Sequence, residues 1–194
     1  MKNYTNFIGI DVAKLTLDYC MITPNPQPEQ GQILNTQKSV DKFLKTLKKA
    51  GCQMNETLFV FENTGIYSSL LALVLSENKL DYAQVPALEI KRSLGITRGK
   101  SDKVDAKEIA NYARRNTDKI ALSALPELSL QQLKIVFAER EKTIAAIKSF
   151  ERTMENEMYL NKKVFTSVKA INRQTVKQLK KQLAALDDRI KILI

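Results

Sequence analysis

The chain has 194 residues, 44% of them hydrophobic, which is enough for one domain of ordinary size and an extension. Lys and Arg outnumber Asp and Glu by 31 to 21, and the resulting net charge of +10 favours a polyanionic partner, most often nucleic acid. A basic surface without such a partner is the alternative. Because the sequence has no histidine, Ser-His-Asp sites, Cys-His sites and histidine-ligated zinc are excluded.

Cysteine usage and the N-terminus indicate a cytoplasmic protein. Cys20 and Cys52 are too few and too far apart for a zinc knuckle or a disulfide framework, so we expect reduced thiols. Residues 1–6 lead directly into a predicted strand and do not resemble a signal peptide. No apolar run approaches the roughly 18 residues of a membrane span, so no membrane contact is expected. The available chemistry is that of carboxylates, hydroxyls and amines.

The first part of the chain alternates between predicted strands and helices. The apolar segment 7–13 predicts a buried strand, and the alternating segment 15–22 predicts a second strand that forms a hairpin with it. A proline-rich loop precedes a third strand, predicted over 32–36. The pattern then predicts a helix over 39–50, a strand over 57–62, a helix over 66–78, a strand over 81–85, a helix over 87–95 and a helix that ends near 115.

Two acids lie in or at the end of buried strands. Asp11 falls inside the first apolar strand, where a carboxylate is costly unless it is hydrogen-bonded, paired or bound to a metal. Glu62 ends the fourth strand, and ligand-binding groups in open α/β sheets gather at the carboxyl ends of strands. A solvent-facing residue at the strand terminus is the alternative for Glu62. Both positions are candidate metal ligands.

Two further acids, Asp102 and Asp105, stand three residues apart at the predicted start of a helix, so both can lie on one face. Four basic residues surround them: Arg98, Lys100, Lys103 and Lys107. Acids within a basic segment indicate a metal ion that acts on phosphate, with the cations along a nucleic-acid backbone. The alternative is structural, with Asp102 as an N-cap and Asp105 at the positive end of the helix dipole.

The predicted order of elements is that of an α/β, RNase H-like (RuvC-like) fold, a mixed sheet with flanking helices. In that architecture the first strand is central and pairs in parallel with the fourth, so Asp11 and Glu62 would lie side by side. A later helix would bring Asp102 and Asp105 above them. Four carboxylates around one point repel one another unless a cation is bound. We therefore expect one or two Mg²⁺ ions, which prefer oxygen ligands and for which Mn²⁺ can substitute.

The composition changes after Pro126 and becomes that of a long helical segment. We predict a boundary between a domain at 1–125 and a segment at 126–194 that is α-helical or coiled coil. Apolar residues follow a heptad pattern in two stretches, the first from Leu130 to Met158 and the second from Val176 to Leu193. The pattern predicts an antiparallel hairpin or a dimerising coiled coil, or else a helix pair that packs on the first domain. Because the second stretch still runs at Ile194, we expect a fragment of a longer protein.

Three segments resemble the N-terminal domain of IS110-family transposases, the family that includes the Piv-type DNA invertases. These segments are 9–14 (GIDVAK), 61–67 (FENTGIY) and 100–106 (KSDKVDA). The resemblance implies a RuvC-like domain whose DEDD tetrad is Asp11, Glu62, Asp102 and Asp105. It implies a site-specific, Mg²⁺-dependent DNA recombinase of a bacterial mobile element, which would act on nucleoid DNA.

The resemblance also implies partners and a further domain. Members of the family are guided to DNA by a non-coding RNA and assemble as dimers or higher oligomers. Their second, C-terminal domain carries a catalytic serine, and we expect that domain to be missing from this chain. No serine within the chain has a motif that supports a nucleophilic role.

Two other functions remain open from the sequence. One is a RuvC-like, structure-selective nuclease, which would use the same tetrad without a second domain. The other is a non-catalytic nucleic-acid-binding or dimerisation module, in which the acids cap helices or face solvent. A sugar-kinase-like ATPase would also place Asp at a strand, but the chain has no glycine-rich phosphate loop. The pattern does not identify a target DNA sequence or a guide RNA.

Overall fold

The computed structural model describes residues 2–25, 27–93, 105–155, 159 and 162–194. The chain divides into two compact units, residues 1–125 and residues 126–194. The first unit contains the mixed sheet with its helices, and the second contains two long helices. Each unit is described by itself.

The first unit is built on a five-stranded mixed sheet with the strand order β3-β2-β1-β4-β5. The central strand β1 pairs antiparallel with β2 and parallel with β4, β2 pairs antiparallel with β3, and β4 pairs parallel with β5. The strands are β1 (Asn6–Val12), β2 (Thr16–Ile22), β3 (Glu29–Leu34), β4 (Thr57–Glu62) and β5 (Tyr82–Val85). The predicted RNase H-like α/β architecture is confirmed, including the central first strand and its parallel pairing with the fourth.

Four helices of the first unit follow the predicted order. They are α1 (Gln37–Lys49), α2 (Ile66–Glu77), α3 (Ala87–Ser93) and α4 (Ala106–Arg115), and a 3₁₀ turn at Met54–Glu56 precedes β4. The prediction of a third strand over 32–36 was wrong at both ends. Thr36 is instead the N-cap of α1, where its side chain accepts a hydrogen bond from the Ser39 amide, so the strand must end before it.

The two faces of the sheet are covered by different helices, because successive side chains of a strand point to opposite faces. Ile8 and Phe59 face a core built with α1 and α2. Phe7 and Val60, each one position away, face a second core built with α4. Every side chain of β1 is buried, which explains why the segment reads as a continuous apolar run. The face beneath α4 is the one that contains the candidate site.

The second unit contains α5 (Leu128–Glu155) and α6 (Lys162–Leu193). Arg140 Nε donates to Asp187 Oδ1 at 2.6 Å, and Lys180 Nζ lies 2.8 Å from Glu151 Oε1. The earlier residue of α5 thus pairs with the later residue of α6, so the two helices run antiparallel and form a hairpin.

The predicted apolar seam is present on α6 but is incomplete on α5. Along α6, Val176 is buried and the later seam residues through Leu193 are partly buried. On α5, Ile147 is buried, whereas Leu130 and Phe137 are 45% and 43% exposed, so the dimerising coiled coil stays a prediction. Among the helices in the described part of the chain, none is both long and apolar enough to cross a membrane.

Candidate functional site

Asp11 lies near the carboxyl end of β1, and its side chain is only 8% exposed. Phe7, four positions earlier, packs in the core beneath α4, and alternation along the strand places Gly9 and Asp11 on the same face. The acid is therefore a buried charged group on a mostly apolar strand, as its sequence context predicted.

Glu62 occupies the equivalent level on the neighbouring strand. Ile10 pairs with Phe61 in the parallel ladder, so Asp11 and Glu62 are each one residue beyond that pair. Val60, two positions before Glu62, packs in the core beneath α4, which places the half-buried Glu62 on the α4 face as well. The two acids thus lie at the carboxyl ends of neighbouring strands and on the same face of the sheet.

Asp105 is the N-cap of α4, with an extended backbone, and its Oδ1 accepts a hydrogen bond from the Glu108 amide at 2.8 Å. The sequence predicted Asp105 at the start of a helix, and the structure places it there as the residue before the first turn, because α4 begins at Ala106. The structural alternative for Asp105 is therefore present in a specific form, a helix cap. A cap engages one carboxylate oxygen and leaves room for a second role at the other.

Four of the predicted site residues lie outside the described residues: Asp102, Arg98, Lys100 and Lys103. Their proposed roles stay predictions. The fourth predicted phosphate-contacting residue, Lys107, is on the first turn of α4 and is exposed.

The first turn of α4 is held against β1 by a very close approach at Gly9. A β-carbon built on Gly9 would lie 2.2 Å from the Ala110 nitrogen and 2.3 Å from the Ala106 oxygen. Only a residue without a side chain permits this contact between helix and strand. The contact places the cap of α4 over the end of β1 that carries Asp11.

A cleft of about 750 Å³ opens between the start of α4 and the strands β1, β2 and β3. Asp11 and Asp105 both line it, together with Lys107 and Glu108. Two of the three described tetrad acids therefore share one cavity. Glu62, the third, is not among the residues that line this cleft.

Asp18 is an acid of this cleft that the sequence analysis missed. It pairs with Asp11 in the antiparallel register of β1 and β2. Gln32 of β3, which also lines the cleft, donates its Nε2 hydrogen to Asp18 Oδ1 at 2.7 Å. The signal was available, since the predicted hairpin around residues 13–14 brings position 18 opposite position 11.

The donor set suits a hard cation, although the described part alone does not complete a metal site. Asp11, Asp18 and Asp105 offer carboxylate oxygens, the ligands that Mg²⁺ prefers. Within the described residues, however, no group of three or more Asp, Glu or Cys side chains is close enough to hold a metal ion. The chemistry of the donors fits Mg²⁺, and the predicted tetrad needs Asp102 as well.

Charges at the start of α4 affect the pKa of Cys20, a fully buried thiol of β2. Burial raises the pKa of Cys20, and the negative charge of Asp105 acts in the same direction. The hydrogen bond from Gln30 and the positive charge of Lys107 lower that pKa. The charges of Asp105 and Lys107 thus both act at the sheet surface below α4.

Comparison with known proteins identifies the family. A family model described as a transposase, the DEDD type of IS110 elements, matches residues 8–161, most of the chain. The match spans β1, β4 and α4, the elements that carry Asp11, Glu62 and Asp105. No curated protein matches the chain. The chain belongs to the IS110-type DEDD transposase family.

Proposed function

We propose that this transposase is a site-specific DNA recombinase whose phosphoryl-transfer centre is formed by Asp11, Glu62, Asp102 and Asp105. The observation that carries the proposal is the buried carboxylate of Asp11. It lines a cleft with Asp105 and lies beside Glu62 at the carboxyl ends of β1 and β4. Carboxylates that converge at one end of the sheet repel one another unless a cation is bound. Mg²⁺ is the proposed cation, and Mn²⁺ can substitute for it.

Each protein group has a separate part in this proposal. Asp11 contributes a carboxylate from the buried central strand, and Asp105 contributes one from the cap of α4. The contact at Gly9 keeps the two elements in place. A bound Mg²⁺ would supply charge stabilisation to the oxygens of the reacting phosphate. Lys107, with the predicted contributions of Arg98, Lys100 and Lys103, would hold the phosphate backbone near the acids.

The finer features of the proposal come from the family resemblance. They are guidance by a non-coding RNA, assembly as a homodimer or higher oligomer through the helical segment, and participation of a serine-bearing domain in strand exchange. Action on nucleoid DNA in the bacterial cytoplasm follows from the same function. The antiparallel hairpin of α5 and α6 supports an assembly role, because several large apolar side chains on it are exposed, Leu130 and Phe137 among them.

The test pairs metal binding with recombination. Calorimetry with Mn²⁺ on the wild-type chain should show binding that Asp11→Asn abolishes, because the substitution removes the buried charge. Recombination should be lost in the same variant. Asp118→Asn, an exposed acid of the same unit, is the matched control and should change neither result. Absence of Mn²⁺ binding together with intact recombination by Asp11→Asn would show that the tetrad is wrong.

Two further outcomes distinguish the competing functions. Cleavage of branched DNA by this chain alone would favour a structure-selective nuclease. Nucleic-acid binding that is unchanged by a chelator and by all tetrad substitutions, with no reaction in any assay, would favour a non-catalytic binding module.

A further inference from the structure

A row of hydrogen-bond donors lies along one face of α4. It begins at Lys107, beside the cleft lined by Asp11, Asp18 and Asp105, which we call the acidic cleft. Lys107, Asn111 and Arg114 are spaced by four and three residues, so they lie on the same side of the helix. We call these three residues the α4 stripe. All three line one groove of about 410 Å³. The opposite wall of that groove is formed largely by residues of the loop after β2, among them Thr23 and Asn25.

The α4 stripe is continuous with the candidate site. Lys107 lines both the acidic cleft and the groove, so the two cavities share a wall. The stripe then leads from Asp105, the cap of α4, towards the C-terminal end of the helix at Arg114. A chain-like ligand that follows the groove past Lys107 would therefore reach the cleft.

Within the described ranges, the cations of the stripe have no acidic partner. Lys107 and Arg114 are exposed, and neither makes an ion pair with a residue in the described ranges. By contrast, Arg140 and Lys180 of the second unit are both paired with acids. Unpaired cations along a groove are suited to a polyanion, since phosphate contacts release condensed counterions.

The dimensions also fit a phosphate backbone. At 1.5 Å of rise per residue, the α-carbons of Lys107 and Arg114 are about 10 Å apart along the helix, while one DNA strand carries a phosphate about every 3.4 Å of its axis. The two cations can therefore contact phosphates a few nucleotides apart. Asn111 lies between them and can donate its side-chain amide to a phosphate oxygen or a sugar.

We propose that the α4 stripe is the path by which a DNA strand enters or leaves the acidic cleft, with Asn111 and Arg114 as phosphate contacts. The choice of DNA over other polyanions rests on the proposed function, because the groove adjoins, at Lys107, the site where DNA would react. The contacts set affinity and register and carry no information on base sequence.

The test measures the salt dependence of DNA binding by the full chain in the presence of EDTA, which removes any metal contribution. Loss of one phosphate contact makes the slope of log K against log salt shallower by about 0.9 for duplex DNA and about 0.7 for a single strand. Arg114→Gln should show that change. Arg115→Gln, which removes the same charge from the next exposed residue outside the groove, should leave the slope as in the wild type. Equal slopes for the two variants would overturn the proposal.

A gain-of-charge variant guards against a loss caused by misfolding. Asn111→Lys should bind more tightly and make the slope steeper by a similar amount, because it places a third cation in the groove. An unchanged slope in this variant would overturn the proposal. A slope change with RNA and none with DNA would also overturn it and assign the groove to RNA.

The result is separable from the proposed catalytic function. Asp11→Asn is assessed by recombination alone, since Asp11 lies in the cleft and not in the stripe. If Arg114→Gln changes the slope while Asp11→Asn recombines normally, the stripe contacts phosphate as proposed and the proposed catalytic tetrad is wrong. If the slope is insensitive to Arg114 while Asp11→Asn is inactive, the opposite holds.

Discussion

Gly9 of β1 lies so close to Ala110 of α4 that a β-carbon on the glycine would come within 2.2 Å of the Ala110 backbone nitrogen. The neighbouring Ala106 oxygen would be 2.3 Å away. Backbone atoms of a helix cannot rotate aside as a side chain can, so the helix itself would have to move. The distance between Asp11 and the cap of α4 therefore depends on the absence of a single methyl group.

Gly9→Ala should destabilise the first unit by about 3 kcal/mol, at the upper end of overpacking costs. Gly31→Ala is the control, because its β-carbon would meet the far end of the Tyr19 side chain, with a closest distance of 2.6 Å, and not backbone. It should cost clearly less. Urea denaturation measures both values. If Gly31→Ala is as destabilising as Gly9→Ala, the close approach of α4 is not the source of the cost.

The cap and the proposed ligand role of Asp105 can be separated by two substitutions. Asn caps helices about as well as Asp, so Asp105→Asn should retain the stability of the wild type while losing the charge. Asp105→Ala should lose both and cost about 1 kcal/mol. Thermal denaturation and recombination assays on both variants check this. A fully active Asp105→Asn protein would mean that Asp105 only caps α4.

Asp18 faces Asp11 across the β1–β2 pair and lines the same cleft. Under the proposed function, Asp18→Asn should weaken Mn²⁺ binding by roughly tenfold, the lower end of what outer carboxylates contribute to metal sites. The new amide oxygen can still accept the hydrogen bond from Gln32, so the fold should not change. Calorimetry would show the effect, with Asp118→Asn as the control. Wild-type affinity in Asp18→Asn would remove Asp18 from the site.

The fold could be predicted from the sequence because its signals are local and strong. Burial on both sides made β1 a mostly apolar run, and the acid inside that run marked Asp11. The parallel pairing of β1 with β4 followed from the order of elements, and it placed Glu62 beside Asp11. These steps need only periodicity and topology.

The features that the sequence did not predict depend on backbone conformation and strand pairing, which hydrophobic periodicity does not determine. The extended backbone of Asp105 and its hydrogen bond to the Glu108 amide define a cap, which spacing alone could not distinguish from a first-turn position. The start of β3 at Glu29 was missed because its ladder with β2 is set by pairing between strands and not by its own weakly apolar sequence. Asp18 was overlooked because it was read as the polar half of an alternating strand.

Tyr112 of α4 and Glu89 of α3 join the two described helices that flank residues 94–104. The Tyr112 hydroxyl donates to Glu89 Oε1 at 2.5 Å. Burial raises the pKa of Tyr112 above its ordinary value of 10.0, and the hydrogen bond and the negative charge of Glu89 raise it further. The unfolded chain therefore ionises this tyrosine at a lower pH than the folded chain does.

Because the unfolded chain ionises Tyr112 at the lower pH, folding stability falls as the pH rises through that range. The stabilisation by Tyr112 is fully present below pH 10 and is lost as the pH rises above 10, where the unfolded state releases its proton first. Tyr4, whose pKa burial and Asp81 raise to about 12, contributes in the same range. Tyr112→Phe should lower stability at pH 8, because it removes a hydrogen bond to a charged group worth about 1.5–3 kcal/mol. It should also make the decline above pH 10 shallower than in the wild type.

Urea denaturation of wild type and Tyr112→Phe between pH 8 and pH 11 measures both effects. Tyr159→Phe is the control, because the Tyr159 side chain is 82% exposed, and it should follow the wild-type curve throughout. If Tyr112→Phe lowers stability equally at every pH, the hydroxyl ionises alike in the folded and unfolded chains. In that case the bond to Glu89 would not be the link that joins α3 to α4.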